Sequence, residues 1–325
     1  MTDKPWLAHY DKGVPQTIDI PQAPLFHFLD ESARKYPDRA CTIFKGAVIT
    51  YKEMNELSDR IAAALVNMGV KKGDRVGIFM PNTPQFVMAY FGILKAGGVV
   101  VATNPLYTPH EIEHQANDAG IEVMFVMTNF YNTIKKAQPN TKIKKVIVTN
   151  LKETLPPVLC VLFTLLREKK GGFHIDKNLP DGDVWMQDLL GNYKSAARPN
   201  AQVGPDDTAV FQYSGGTTGV SKGAVALHLN IVANTLQIRS WMTVLEEGKE
   251  IVLMGIPLFH VYGMVAGMNF AMSTGATMVM VPNPRDLKDV LDNIQKYKAT
   301  IFPGVPALYN GINNHPDVKA GKYNL

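Results

Sequence analysis

Along the first half of the chain, apolar positions switch between two periods. Met54, Leu57, Ile61, Leu65 and Met68 recur every three or four residues, which marks one face of a helix that Gly69 is placed to end. Residues 75–80 read as a strand, 85–95 as a helix, and 98–102 as a second strand whose unbroken valines predict cover on both faces. Thr108-Pro-His-Glu111 has the form of a capping box with proline at the first helical position, opening a helix toward Asn117. Residues 121–127 and 145–149 follow as strands. Strands separated by helices predict an α/β fold with parallel or mixed sheets flanked by helices.

The order glycine, apolar strand, proline, helix, glycine, strand, Asn-Pro occurs twice. The first copy runs from Gly73 through Pro81 and Gly97 to Asn104-Pro105, the second from Gly248 through Pro257 and Gly275 to Asn283-Pro284. Two related βα subdomains would produce this order, and so would a chance likeness between βαβ units. The expected division is 1–180 and 181–325, the second unit being incomplete. Residues 167–205, rich in Gly, Pro, Asn and Asp, are expected to cross the surface between them.

Residues 155–166 form the longest apolar run, Leu-Pro-Pro-Val-Leu-Cys-Val-Leu-Phe-Thr-Leu-Leu, followed at once by Arg167-Glu-Lys-Lys170. The run is shorter than the roughly 20 residues of a membrane span. An apolar patch with a basic flank is suited to rest on an anionic bilayer, and the same residues read equally well as a buried core segment.

Composition adds exclusions. At 325 residues with 46% hydrophobic content the chain can bury a large core. The net charge of +4 is spread along the chain, without the basic block of a nucleic-acid binder, so no nucleic-acid partner is expected. Cys41 and Cys160 lie in apolar stretches with no CxxC spacing, and read as buried thiols of a reducing compartment. The N-terminus lacks a signal-peptide core, and a cytoplasmic location is expected.

The strongest chemical signal is Ser214-Gly-Gly-Thr-Thr-Gly-Val-Ser-Lys-Gly223, between an apolar run ending at Tyr213 and a helical pattern near His228. Gly215, Gly216, Gly219 and Gly223 let backbone amides approach an anion, Ser214, Thr217, Thr218 and Ser221 add hydroxyls, and Lys222 adds a charge suited to phosphate oxygens. A flexible surface loop would have a similar composition. A Walker A loop would need Gly-Lys-Ser/Thr, whereas Lys222 sits between Ser221 and Gly223, so the magnesium-binding hydroxyl is absent from its Walker position.

The run resembles the phosphate loop of the adenylate-forming superfamily. Asn104-Pro-Leu-Tyr-Thr-Pro-His-Glu-Ile-Glu-His114, Pro257-Leu-Phe-His-Val-Tyr-Gly263, Asn283-Pro-Arg-Asp286 and Gly304-Val-Pro-Ala-Leu-Tyr309 fall in the order seen in its long-chain fatty acyl-CoA ligases. The resemblance covers essentially the whole chain. It implies a fatty-acid carboxylate attacking the α-phosphate of ATP, loss of pyrophosphate, and displacement of AMP by the thiol of coenzyme A. On this likeness Tyr213, Ser214, Gly215, Gly216, Thr217, Thr218, Gly219, Val220, Ser221, Lys222, Gly223 and Ala224 would hold ATP and its departing pyrophosphate. Thr217 and Lys222 are the catalytic candidates there, and Ser214 or Thr217 is the candidate contact for Mg²⁺.

The same likeness places His260 beside the substrate carboxylate, although a lone His next to Phe and Val is also a common core residue. Tyr262, Gly263, Met264, Gly267 and Gly304 would border the acyl group. Some long-chain relatives have a gating tryptophan where this chain has Met264; Met264, Met268 and Met272 would then form an adaptable channel, or simply a methionine-rich core. Gly263 and Gly267, four apart, would leave a bare helix face for a methylene chain or for close packing. Tyr309 and Pro306 are further candidates. Family elements expected farther on, including a magnesium-binding glutamate and a C-terminal domain with the adenylation lysine, do not occur in these residues, so this stretch alone is expected not to turn over. Competing functions are a ligase for aryl or medium-chain acids and a catalytically incomplete nucleotide- or acyl-binding protein; an oligomer is compatible with either.

Overall fold

The structure is a computed structural model and describes residues 4–180, 182–214 and 221–325. Its strands, in chain order, are β1 (Ala40–Phe44), β2 (Ala47–Thr50), β3 (Arg75–Phe79), β4 (Val99–Ala102), β5 (Ile121–Met127) and β6 (Lys145–Thr149). They continue with β7 (Val184–Trp185), β8 (Thr208–Tyr213), β9 (Gly223–Leu227), β10 (Ile251–Met254) and β11 (Thr277–Met280). The helices are α1 (His27–Lys35), α2 (Tyr51–Asn67), α3 (Pro84–Lys95), α4 (Pro109–Ala119), α5 (Tyr131–Ala137) and α6 (Pro157–Leu166). After them come α7 (Met186–Asn192), α8 (His228–Trp241), α9 (Phe270–Thr274), α10 (Leu287–Tyr297), α11 (Pro306–Asn314) and α12 (Pro316–Lys319). A π-helical segment, Gly263–Asn269, runs directly into α9.

The predicted elements of the first half stand within a few residues of their expected bounds. Gly69 ends α2 with φ +93° and donates to Val66 O at 3.0 Å, a conformation that an L side chain resists. The capping box at α4 is complete, with Thr108 and Glu111 each bonding the other's backbone amide. All four residues of β4 are buried, as its valine run requires.

Two mixed sheets result. One has the order β7-β6-β5-β3-β4-β8-β9, parallel throughout except for the β8–β9 hairpin. The other has the order β10-β11-β1-β2, parallel except for β1–β2. The period-2 alternation of each strand sorts its side chains between cores. Val76, Ile78, Val100, Phe125, Val252 and Met278 enter one large cluster between the sheets. Phe79, Val101, Met124 and Val126 face a second under α4 and α5, and Leu253 and Val279 face a third beside α10.

Helix α3 lies in the middle layer and is buried along its whole length. Its one cation, Lys95, is 1% exposed and is satisfied by Asn55 Oδ1 (2.6 Å), Ser58 Oγ (2.7 Å) and Asp59 Oδ1 (2.7 Å).

The repeated segments are β3-α3-β4 and β10-π/α9-β11, each a pair of parallel strands joined through a helix of the middle layer. The sheets do not follow the division at residue 180: β1 and β2 pair beside β11, and β8 and β9 close the sheet built on β3 to β6. β1 and β8 are interior strands, each hydrogen-bonded to a partner far away in the chain. Residues 167–205 also do more than cross the surface, because they supply β7 and α7, with Met186 fully buried. Cys41 is buried as expected, whereas Cys160 is half-buried because the helix bearing it, α6, lies outside the core.

Asn82, 3% exposed, joins the two sheets. Its Nδ2 donates to Met254 O (3.1 Å) and Ile256 O (2.8 Å), and its Oδ1 accepts from Leu258 N–H (2.8 Å). Replacing Asn82 by Ala leaves buried polar groups without partners, and stability is expected to fall by about 3 kcal/mol. Urea denaturation would read this as a lower midpoint at constant slope.

A second long-range tie gives a pH dependence. His228, 1% exposed, accepts the Leu25 N–H at Nδ1 (3.0 Å). Burial holds the imidazole pKa down at about 4 against its ordinary 6.5, with Asp207 opposing and Lys72 adding. A depressed histidine disfavours the protonated ring in the folded state, so the stabilisation is complete above the unfolded value and is lost as pH falls toward the folded one. Between pH ~7 and ~4.5 the wild-type chain is expected to lose about 2–3 kcal/mol more than His228→Gln. Equal losses in parallel urea titrations would refute this.

Candidate functional site

In a doubly wound α/β fold, ligands collect beyond the carboxyl ends of parallel strands. Three such ends converge here. Strand β8 leads into Ser214 and the glycine-rich run, β10 leads through Gly255 to His260, and β3 leads to Asn82, which holds the segment after β10 in place.

The stem of the glycine-rich loop is the β8–β9 hairpin, in which Tyr213 pairs with Gly223. Ser214 N–H donates to Lys222 O at 3.1 Å, and the Ser221 hydroxyl donates to Ser214 O. Helix α4 braces the stem from below: Tyr213 Oη donates to Asp118 Oδ2 (2.5 Å) and His114 Nε2 meets Ser221 O (3.1 Å). Burial and the Asp118 carboxylate together push the Tyr213 phenol up, keeping it protonated as a donor. A Cβ on Gly223 would lie 2.9 Å from the Tyr213 ring, so glycine lets that ring pack across the stem. Lys222, Gly223 and Ala224 are exposed at the loop's exit. Gly215, Gly216, Thr217, Thr218, Gly219 and Val220 lie outside the described residues.

His260 is exposed at the turn before the π-helical segment. Its Nδ1 accepts from Tyr262 N–H (3.3 Å), which puts the proton of a neutral ring on Nε2. Gln212, two residues before Ser214, donates from Nε2 to Phe259 O (3.1 Å). This bond links the strand that feeds the loop to the residue next to His260. Beside His260 opens a cavity of about 600 Å³ whose walls include Ile256, Pro257, Arg285, Val305 and Leu308. Its size falls within the range of small-molecule sites.

Of the expected acyl contacts, His260, Tyr262 and Gly263 line this cavity. Gly263 does so at its helix start, where a Cβ would stand 2.2 Å from Pro257 O. Gly267 serves packing: its missing Cβ makes room for Met254 Cε at 2.5 Å, and no bare helix face remains. Met264, Met268 and Met272 are all within 2% of full burial and belong to the core between the sheets, not to an open channel. Gly304 accommodates the Tyr309 ring, whose hydroxyl donates to Phe302 O (2.6 Å). Sequence reasoning missed Asn82, Gln212 and Asp118. Asn82 carried a faint signal as a polar residue between Pro81 and Pro84; Gln212, inside a strand pattern, carried only its polarity.

Among the described residues no group of three His, Cys, Asp or Glu side chains converges to hold a metal. Ser214 is exposed beside the loop, and among the described residues no carboxylate hydrogen-bonds to it.

Compared with known proteins, the chain matches the family described as AMP-binding enzyme over residues 29–325. It is 36% identical over 319 residues to the long-chain-fatty-acid–CoA ligase of Bacillus subtilis (strain 168), covering 98% of this chain and 56% of that one. The chain thus spans about half the length of the curated relatives it matches. Its fold is similar to that of the anthranilate CoA ligase AuaEII in complex with anthranoyl-AMP, with a TM-score of 0.78 at 21% identity over 95% of this chain and 54% of that one. It is also similar to a long-chain-fatty-acid-CoA ligase of Archaeoglobus fulgidus, with a TM-score of 0.76 at 23% identity over 96% and 56%.

Gly263→Ala forces a methyl group against the Pro257 carbonyl, which also accepts the His260 amide (3.1 Å). The substitution is expected to cost about 1–3 kcal/mol. A urea midpoint equal to that of the wild type would show that this helix start moves freely.

Proposed function

The chain belongs to the AMP-binding enzyme family, and from that premise we propose that it is part of an ATP-dependent ligase that activates a long-chain fatty acid to its acyl-adenylate and then to acyl-CoA. The observation that carries this reading is the Gln212–Phe259 link, which sets the phosphate-loop stem beside the cavity with His260 at its edge.

In this reading the glycine-rich loop and the Lys222 ammonium take the β- and γ-phosphates, where charge grows as pyrophosphate departs. One carboxylate oxygen of the acid bonds to the α-phosphorus as the bond to the bridging oxygen of pyrophosphate breaks. His260, donating from Nε2, orients the carboxylate without taking its proton, since the acid arrives ionised. The coenzyme A thiol, after losing its proton, then attacks the acyl carbon and AMP leaves. The apolar walls of the cavity suit a hydrocarbon tail, and Tyr262 and Gly263 are among the residues that line it. Mg²⁺ would add positive charge beside the phosphates when bound; among the described residues no group of three His, Cys, Asp or Glu side chains converges to hold it. The reading includes a cytoplasmic setting, in keeping with two unpaired thiols.

The test is acid-dependent exchange of labelled pyrophosphate into ATP by the full-length gene product, across short, long and aryl acids. Exchange is expected to peak with long chains. Lys222→Ala is expected to raise the KM for ATP by about 10–100-fold, and His260→Ala to reduce exchange by about 10–100-fold, through loss of charge-assisted contacts. Exchange peaking with aryl acids would move the substrate class, and no exchange with any acid would leave a binding protein.

A further inference from the structure

The apolar run that precedes Arg167 is neither buried nor covered. Helix α6 contains no buried residue, and its outer side displays Val158 (72% exposed), Val161 (58%), Leu162 (45%), Leu165 (75%) and Leu166 (60%). On a helical projection these lie side by side, while Cys160 and Phe163 turn inward. Soluble monomers seldom expose a contiguous apolar patch of this extent.

The helix is nevertheless firmly placed. At its start Pro156 abuts the turn between β1 and β2, where a Cβ on Gly46 would sit 3.8 Å from its ring. At its end Phe163 meets Phe173 edge-on with centroids 5.3 Å apart. Glu168, 5% exposed, accepts from Asn150 Nδ2 (3.0 Å) and Lys152 Nζ (2.6 Å). The chain therefore anchors both ends of α6 and leaves its outer face free.

Charge indicates what covers that face. The helix carries no charged residue, and Arg167, Lys169 and Lys170 follow within one turn, all exposed and without an ion-pair partner among the described residues. The helix's one hydroxyl, that of Thr164, donates to Cys160 O at 2.8 Å, so no polar group on the outer face awaits a protein partner. An uncharged aliphatic face bordered by unpaired cations matches the boundary between acyl chains and anionic headgroups. We propose that α6 and its basic flank dock the protein on an anionic lipid bilayer, with the helix lying in the interface plane.

The experiment is co-sedimentation of the 325-residue chain and of the full-length gene product with phosphatidylcholine vesicles, with and without phosphatidylglycerol. Both proteins are expected to bind the anionic vesicles, and added salt to weaken that binding. Replacing Leu162 and Leu165 together by Asp is expected to reduce binding about a hundredfold through lost apolar burial. Neither residue supports the core, and unchanged circular dichroism would confirm the fold. Replacing Arg167, Lys169 and Lys170 by Ser is expected to lower the preference for anionic vesicles about a hundredfold. Wild-type protein that ignores anionic vesicles, or binding unmoved by either set, would overturn the proposal. A dimer lost in the Leu162/Leu165 variant would assign the face to a second copy, and binding by the 325-residue chain alone would assign it to the remainder of the protein.

Discussion

One carboxamide brings the two sheets into register. Asn82 leaves the end of β3, in the middle of the larger sheet, and spends both amide hydrogens and its carbonyl oxygen on the backbone that leaves β10 in the smaller one. Aspartate has the right length but lacks the donor, and two carbonyls would face its charge. Threonine cannot reach in both senses. Because Asn82 sets the path from Met254 to Leu258, it also sets where His260 emerges. Gln212 then holds the same segment from the side of the glycine-rich loop. The cavity beside His260 therefore inherits its shape from backbone bonds between sheets, and its walls need few polar side chains of their own.

The repeated βαβ units explain why the middle layer tolerates so little variation. Each unit sends its helix between the sheets, where every side is covered. In the first copy the solution is a helix apolar on all faces, with Lys95 compensated by three oxygen partners from α2. In the second copy the solution is closeness: Gly263 and Gly267 let the helix touch Pro257 and Met254, and a π-helical stretch takes up the extra residue. Gly267 therefore opens no bare face, because Met254 packs into the space, while Gly263 lines the cavity beside His260.

Much of this architecture was legible in the sequence because periodicity and caps are local. The α2 stripe, the Thr108–Glu111 box and the valine strand were readable from neighbouring residues, and the glycine-rich run stood out by its composition. What escaped notice depends on partners far along the chain. Asn82 meets residues about 170 positions away, Tyr213 meets Asp118 across 95, and His228 meets Leu25 across 203. No window of sequence contains both members of such pairs. The pairing of β1 with β11 is hidden for the same reason, and the exposure of α6 could not be read because an apolar run has the same pattern in a core as on a surface.

The crossing of the chain between sheets bears on how the protein is made. Thr42 of β1 finds its neighbour Met278 only after nearly all of the intervening chain has been synthesised, an interval of some tens of seconds at ordinary translation rates of about 5–20 residues per second. Until then the β1–β2 hairpin has a free edge, a hazard for pairing with other nascent chains. Contacts of such sequence separation also carry a large loop-closure cost before they return any stability. The smaller sheet is therefore a late product of synthesis, and no early-released piece of this polypeptide can complete it.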